Sequence, residues 1–221
     1  MTLRASIFDM DGLLIDSEII WHRAEAEILG DLGLPITYEE NRATKGMYVD
    51  EAVAYWYARY PWAGPGLGAV IDQLIERVGE LVEREGVLQP GALRALDLAA
   101  ARGPLALASS TPRPLIERWL GHFGLLERFA SIHSADVEAY GKPHPAVFLS
   151  AATALEVPAV ACLVYEDSPA GVLAAKAGRM SVVAVPAIED RAEPAIGLAD
   201  LVLGSLEELR EDWLDERFSE G

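Results

Sequence analysis

Ile7-Phe8-Asp9-Met10-Asp11-Gly12 is the stretch whose reading decides the fold. The apolar run over 5–8 reads as a buried strand. It stops at two carboxylates one residue apart, and Gly12 is the residue type that leaves a strand through a turn. In a regular strand, neighbouring side chains alternate between faces. At a strand end the backbone bends out of the pleat, so Asp9 and Asp11 can converge on one point. Two nearby carboxylates in different surroundings can hold different protonation states, and magnesium favours such hard oxygen ligands. Alone, the pair also fits two solvated loop acids, and the rest of the chain decides between the readings.

Downstream of Gly12 the pattern is helical. Asp16 or Ser17 is a candidate cap, with Glu18 in the first turn, and a helix over 19–32 ends at Gly33 and Pro35. Further helices are expected over 37–44, 50–60 and 69–84, the last with Val70, Leu74, Val78, Leu81 and Val82 at a 3-4 spacing. After a linker over 86–91, strands and helices alternate. The strands are 105–108, 130–133, 160–165, 182–185 and 200–203, and the helices are 112–123, 145–155, 169–177 and 192–198, followed by a helical tail from 206. Alternation of this kind implies a parallel sheet covered on both faces. The expected architecture is a Rossmann-like α/β core over 1–15 and 88–221, with an all-helical insertion over 16–87.

Composition narrows the function. The 221 residues are 51% hydrophobic, ample for a core, and the formal net charge is -17. Phosphate backbones demand a basic face, so nucleic acid is excluded as a partner, and so is an anionic membrane surface. No apolar run approaches the roughly 20 residues of a membrane helix. Acidity favours a monomer or weak homodimer. A small anionic substrate remains compatible if a metal, a local cation or backbone N–H groups attract it. The single cysteine, Cys162, lies in an apolar run and reads as a buried thiol. It permits no internal disulfide, and together with an N-terminus that leads straight into the first strand it suggests a cytoplasmic protein.

In open parallel sheets the site lies beyond the carboxyl ends of the strands. The second strand runs into Ser109-Ser110-Thr111-Pro112, where Thr111 reads as an N-cap with Pro112 at the first helical position. A hydroxyl beside free N–H groups at a helix start suits phosphate, although an ordinary cap looks the same. The third strand leads to Gly141-Lys142-Pro143-His144-Pro145. Lysine is a compact cation suited to phosphate and the prolines stiffen its mounting, although a surface lysine would look similar. None of His22, His122, His133 and His144 has an evident partner, and all four read as structural. The fourth strand ends at Glu166-Asp167-Ser168-Pro169, a second acid pair and the natural complement of a magnesium site begun by Asp9.

Acid pair, hydroxyl, lysine, acid pair, in this order and each at a strand end, resembles the haloacid dehalogenase-like superfamily. The resemblance spans nearly the whole chain, and the helical insertion looks like the mobile cap of the β-phosphoglucomutase-like branch. Phe8 to Glu18 (FDMDGLLIDSE), Trp56 to Trp62 (WYARYPW), GKPHP from Gly141 and EDSPAG from Glu166 resemble the bacterial 2-deoxyglucose-6-phosphate and hexitol-phosphate phosphatases. The resemblance implies that Asp9 is a nucleophile forming an aspartyl-phosphate and Asp11 the general acid and base. It implies Mg²⁺ held by Asp9, the backbone carbonyl of Asp11 and Asp167, with Glu166 ligating directly or through water. It assigns phosphoryl binding to Ser109, Ser110, Lys142 and backbone N–H groups near Gly12 and Ser110. An acid at Asp11 favours phosphoryl chemistry over dehalogenation.

The implied substrate is a small phosphorylated sugar or polyol, chosen by a cap that closes over it. Trp21, Lys45, Met47 and Tyr48 are the candidate cap residues facing the site, whereas Trp56 and Tyr57 read as packing between cap helices. A sugar phosphomutase shares the core motifs. In that branch a histidine stands where Trp21 aligns, and a cap-loop arginine binds the second phosphate, for which this chain offers nothing near Val49. A catalytically silent binding protein is the remaining reading, and the intact Asp9, Asp11, Lys142 and Asp167 oppose it.

Overall fold

A computed structural model describes residues 2–34, 36–37, 40, 42–44 and 47–218. Lys45 and parts of the segment 37–44 therefore lie outside the described residues. Six strands form one parallel sheet in the order β3-β2-β1-β4-β5-β6. They are β1 (Ala5–Phe8), β2 (Leu105–Ser109), β3 (Ser131–Ser134), β4 (Cys162–Glu166), β5 (Ser181–Ala184) and β6 (Leu201–Val202). The chain winds one way from β1 through β2 to β3 and the other way from β4 outward. The strand order thus reverses beside β1, which is where the crevice of such a sheet opens.

Strand alternation divides the core in two. Ile7, Ala106, Val164 and Val182 point to one face, under helices α6 (Ala146–Ala154) and α7 (Pro169–Ala177). Phe8, Leu107, Tyr165 and Val183 point to the other, where α4 (Ala92–Ala100) and α5 (Arg113–His122) pack. The register partners Phe8 and Tyr165 stack with ring centroids 4.2 Å apart, a contact that adds about 1 kcal/mol to the burial of both rings. Small alanines on the first face let α6 approach closely, whereas bulky residues on the second build a thicker layer that continues into the inserted helices.

Those helices are α1 (Glu18–Asp31), α2 (Val49–Arg59) and α3 (Leu67–Glu85), with a 3₁₀ turn at Arg42–Thr44. The two connections to the core run side by side. The Asp16 N–H donates to Val87 O and the Gln89 N–H to Leu14 O, both at 2.9 Å. A second tie lies on α5, where the Arg118 guanidinium grips the Glu83 carboxylate on α3 at 2.7 and 2.8 Å. Gly79 makes room for it, since a Cβ there would collide with the guanidinium. No helix among the described residues is long and apolar enough to cross a membrane.

Three expectations need correction. Helix α4 falls in a stretch given no element above, although its buried Ala92, Ala95, Leu96 and Ala99 keep the spacing of one helical face. The helix expected over 192–198 is only a 3₁₀ turn at Ile196–Leu198, because Pro194 and Gly197 interrupt the segment. Thr111 does not cap α5. Pro112 takes the N-cap position, and the Thr111 hydroxyl is used elsewhere.

Gly91 starts α4 with φ +83°, and a Cβ there would overlap the backbone of Leu206 and Glu207. Gly91→Ala is expected to cost about 1–3 kcal/mol, read as a lower urea midpoint with unchanged slope. An unmoved midpoint would show that this junction relaxes freely.

Candidate active site

The carboxyl ends of β1, β2 and β4 meet the inserted helices around a cavity of about 110 Å³. Asp9, Asp11, Ser109, Ser110, Lys142 and Asp167 all line it. Glu166 lies beneath them, fully buried. Lys142 Nζ donates to Asp9 Oδ1 and to Glu166 Oε1, both at 2.6 Å, and to Ala108 O at 3.3 Å. The Lys142 ammonium also lies 4.7 Å from the Phe148 ring centroid. Glu166 Oε2 accepts from the N–H and hydroxyl of Ser168, at 2.8 and 3.0 Å. Gly171 leaves room for this carboxylate, which a Cβ would overlap.

Asp11 is held differently. Its Oδ1 accepts from Ser17 Oγ and Trp21 Nε1, both at 2.8 Å. Its Oδ2 accepts from Thr111 Oγ1 at 2.7 Å and from Ser109 Oγ at 3.3 Å. An indole N–H can only donate, whereas hydroxyls can also accept. Trp21 therefore keeps Oδ1 an acceptor, and a proton on Asp11 belongs on Oδ2, where Thr111 and Ser109 can turn to accept it.

Gly12 acts by its shape. It sits at φ +74°, and a Cβ there would overlap the Asp167 carboxylate. Its N–H, expected to face a phosphoryl group, donates instead to Ile15 O at 2.9 Å within the tight turn. Gln89 Nε2 fixes the same turn through Gly12 O at 2.9 Å. The Ser110 hydroxyl is buried at the cavity wall with no hydrogen-bond partner among the described residues. Of the cap candidates, Trp21 and Met47 line the cavity. Tyr48 does not; its Cβ lies beside Gly141 of the lysine loop. Residues given no site role above also line it, among them Ser17, Thr111, His22, Glu25 and Thr44. His22, read above as structural, faces the cavity 3.6 Å from Glu18.

Asp9, Glu166 and Asp167 each offer a carboxylate oxygen, and these atoms lie within 4.8 Å of one another. Counting Asp11, four carboxylates gather where Lys142 is the one lysine among the described residues lining the cavity, and such a cluster of buried carboxylate oxygens is a ligand set for a cation. The residues therefore suit a hard divalent cation. Glu166 already uses both oxygens on Lys142 and Ser168, so Asp9 and Asp167 form its exposed edge.

Comparison with known proteins places this geometry. Residues 3–179 match the haloacid dehalogenase-like hydrolases. The chain belongs to that family. Hexitol phosphatase B of Escherichia coli strain K12 is 44% identical over 207 residues, covering 93% of this chain and 93% of its own. CbbY from Rhodobacter sphaeroides, solved in complex with phosphate, is 29% identical with a TM-score of 0.85, over 94% of this chain and 96% of that one. A β-phosphoglucomutase from Clostridium difficile superposes with a TM-score of 0.83 over 98% of this chain and 97% of that one, and its 24% identity makes it a likeness of fold.

In this hydrolase, burial pushes Asp9 up from 3.8 to about 7, with Glu166 and Asp11 adding to the rise and Lys142 opposing it. Burial alone would lower Lys142, but the adjoining Asp9 and Glu166 hold it above its ordinary value. Between pH 3.8 and about 7 the folded state keeps an Asp9 proton that the unfolded chain has shed. The contribution of Asp9 to stability therefore falls as pH rises through that window. A bound cation favours the ionised form, so Mg²⁺ added to chelator-treated protein is expected to raise the unfolding temperature more at pH 8 than at pH 5. Equal or reversed gains in a calorimeter would contradict this assignment.

Gly171→Ala is expected to displace Glu166, break its bonds to Lys142 and Ser168, and cost about 1–3 kcal/mol in denaturant titration. Gly141→Ala is the control, because its Cβ would find its nearest contact at 3.6 Å, on Glu51. If the two variants unfold alike, Glu166 has slack to move.

Proposed function

We propose that the chain is a magnesium-dependent phosphatase of small sugar or polyol phosphates, of the hexitol-phosphate and 2-deoxyglucose-6-phosphate type. The carrying observation is the pairing of a buried carboxylate, Asp9, bound to Lys142, with a second, Asp11, oriented by Trp21. The pairing supports a nucleophilic role for the first and a proton-carrying role for the second. The substrate class is supported by the 44% identity to hexitol phosphatase B.

The reaction has two displacements. An Asp9 oxygen attacks phosphorus while the bond from phosphorus to the sugar oxygen breaks, and Asp11 delivers its Oδ2 proton to that departing oxygen. A water then attacks the aspartyl-phosphate. Asp11 takes a proton from this water, the acyl phosphate bond breaks, and phosphate leaves with Asp9 restored. Lys142 and the Ser109 and Ser110 hydroxyls offer donors to the phosphoryl oxygens, and positioning of this kind supplies most of the barrier reduction in phosphoryl transfer. Mg²⁺ held by Asp9, Asp167 and the Asp11 carbonyl would offset the repulsion between two anions. Residues 16–87 serve as the cap that shields the site from water. The setting is cytoplasmic and the protein a monomer or weak homodimer, a reading supported by its net charge of -17 and its one buried thiol.

The phosphomutase is the lesser reading, supported only by likeness of fold to solved β-phosphoglucomutases. By the resemblance, Trp21 falls where that branch has a histidine, and its indole is bonded to Asp11.

The test is phosphate release from sorbitol 6-phosphate, mannitol 1-phosphate, 2-deoxyglucose 6-phosphate and β-glucose 1-phosphate, with Mg²⁺ and with a chelator. Metal-dependent release from the first three is expected, and Asp9→Asn is expected to lower kcat at least ~10³-fold with an intact unfolding transition. Undiminished turnover by this variant would remove Asp9 as nucleophile. Conversion of β-glucose 1-phosphate to glucose 6-phosphate without free phosphate would make the protein a mutase.

A further inference from the structure

Two linkers join the helical insertion to the core, and the one that returns from α3 to α4 reaches the catalytic turn. Its backbone is secured first. Leu88 bridges to Ile15 in an antiparallel pair, and the Gln89 N–H donates to Leu14 O at 2.9 Å. These bonds set the path of the linker without using a side chain. The Gln89 amide makes a further bond that the path does not require. Its Nε2 donates to Gly12 O at 2.9 Å, across 77 positions of sequence. Gly12 is thereby held at both of its polar atoms, since its N–H donates to Ile15 O at 2.9 Å.

A glycine in the left-handed region is poorly able to hold itself there. Gly12 has φ +74°, and without a Cβ its two soft dihedrals range more widely than those of any other residue. Fixing the peptide on each side removes that freedom. The position so fixed is one of close contact. A Cβ on Gly12 would overlap the Asp167 carboxylate, so the bare Gly12 backbone is a surface against which Asp167 packs. Asp167 in turn offers one of the three carboxylate oxygens that lie within 4.8 Å of one another.

We infer that Gln89 is a positioning residue of the magnesium site. By holding the Gly12 carbonyl it sets the turn against Asp167, and so the spacing of the carboxylate oxygens that would receive the ion. The inference rests on the magnesium-dependent phosphatase reading above and adds to it a residue that does not itself line the cavity.

Ion choice separates this role from a merely structural one. Mg²⁺ demands a near-ideal octahedral arrangement with short bonds, whereas Ca²⁺ accepts longer bonds and a looser arrangement of oxygens. A turn free to drift therefore penalises Mg²⁺ more than Ca²⁺. A residue that only stabilised the fold would leave the ratio of the two affinities where it was.

The experiment uses the full chain, treated with a chelator, and follows the unfolding temperature as Mg²⁺ or Ca²⁺ is titrated in. The dependence gives an apparent affinity for each ion. Gln89→Met keeps the length of the side chain and removes its donor. It is expected to weaken Mg²⁺ about 10-fold, the scale of one hydrogen bond, and Ca²⁺ by about 3-fold or less. Without metal it is expected to unfold within about 5 °C of wild type. Phosphate release from a hexitol 6-phosphate is expected to fall at low Mg²⁺ and to return toward the wild-type rate as Mg²⁺ is raised. Gln89→Asn leaves the amide one methylene short of Gly12 O on a backbone still tied to Leu14. It is expected to weaken Mg²⁺ over Ca²⁺ in the same sense, and it carries the test if Gln89→Met fails to fold. Equal losses for both ions, or a lower unfolding temperature with both affinities unchanged, would make Gln89 a structural residue and overturn the inference while the phosphatase stands. A wild type whose unfolding ignores Mg²⁺ would overturn the magnesium site itself. A wild type that binds Mg²⁺ yet releases phosphate from no monoester would overturn the phosphatase reading, and the two ion affinities would still decide the role of Gln89.

Discussion

Everything at the site is arranged around one ammonium group. Lys142 stands between Asp9 and Glu166 at 2.6 Å from each, with its side chain almost wholly buried. Removing these three charges from water is expensive, and their mutual attraction repays it only with tight geometry and further hydrogen bonds on the remaining lone pairs. The surroundings supply that geometry. The sheet sets β1 beside β4, so Asp9 and Glu166 leave adjacent strands at the same level, with the Asp9 N–H bonded to Tyr165 O at 3.0 Å. Ser168 satisfies the second Glu166 oxygen while also starting α7 as its N-cap. Gly171 is bare on the side that carboxylate occupies. Each of these residues belongs to an element that the core would build anyway, so the charged centre is positioned by packing that is otherwise apolar.

Lys142 balances only part of the negative charge. Asp167 sits against Gly12, and Asp11 is secured by neutral donors. The two carboxylates that must do different things are thereby put in different environments. Asp9 is bonded to a cation, whereas Asp11 is bonded to an indole and hydroxyls that can reverse direction. That asymmetry is what the proposed division into nucleophile and proton carrier draws on, without any difference in residue type.

The core was legible in the sequence because parallel strands and their helices announce themselves locally, and because a parallel sheet collects its chemistry at the strand ends. Asp9, Ser109, Lys142 and Asp167 each gave a weak signal on that rule, their order along the chain and the family resemblance made them candidates together, and the cavity brings them together. The misses have a common cause. Thr111 and Ser17 sit where a helix cap is expected, and a hydroxyl's partner cannot be told from its position. Sequence offers the backbone N–H as the default, and the fold provides Asp11. His22 and Glu25 were hidden for a different reason. On an isolated helix they look like solvated charges, and only the placement of α1 over the strand ends turns that face inward. Helix α4 was legible and missed, since alanine-rich periodicity is weak beside the larger residues around it. Tyr48 shows the opposite error: proximity in sequence to Met47 did not carry it into the cavity, because the chain turns there to start α2 and its Cβ lies beside Gly141.

Helix α1 runs along the cavity. Its first turns supply Ser17 and Trp21 to Asp11, and its next turn supplies His22 and Glu25 to the cavity lining. A helix is stiff along its axis, so a displacement of the turn that carries Glu25 would also move Trp21 relative to Asp11. The indole N–H is the one donor to Asp11 that cannot reverse, and a shift of α1 along its axis would loosen the acid before any core residue moved. Trp119 of the core reinforces this, its ring edge-on to Trp21 at 6.2 Å. It gives the indole an aromatic wall to rest on only when α1 is in place. In this fold the inserted helices thus hold the Asp11 carboxylate as firmly as the core does.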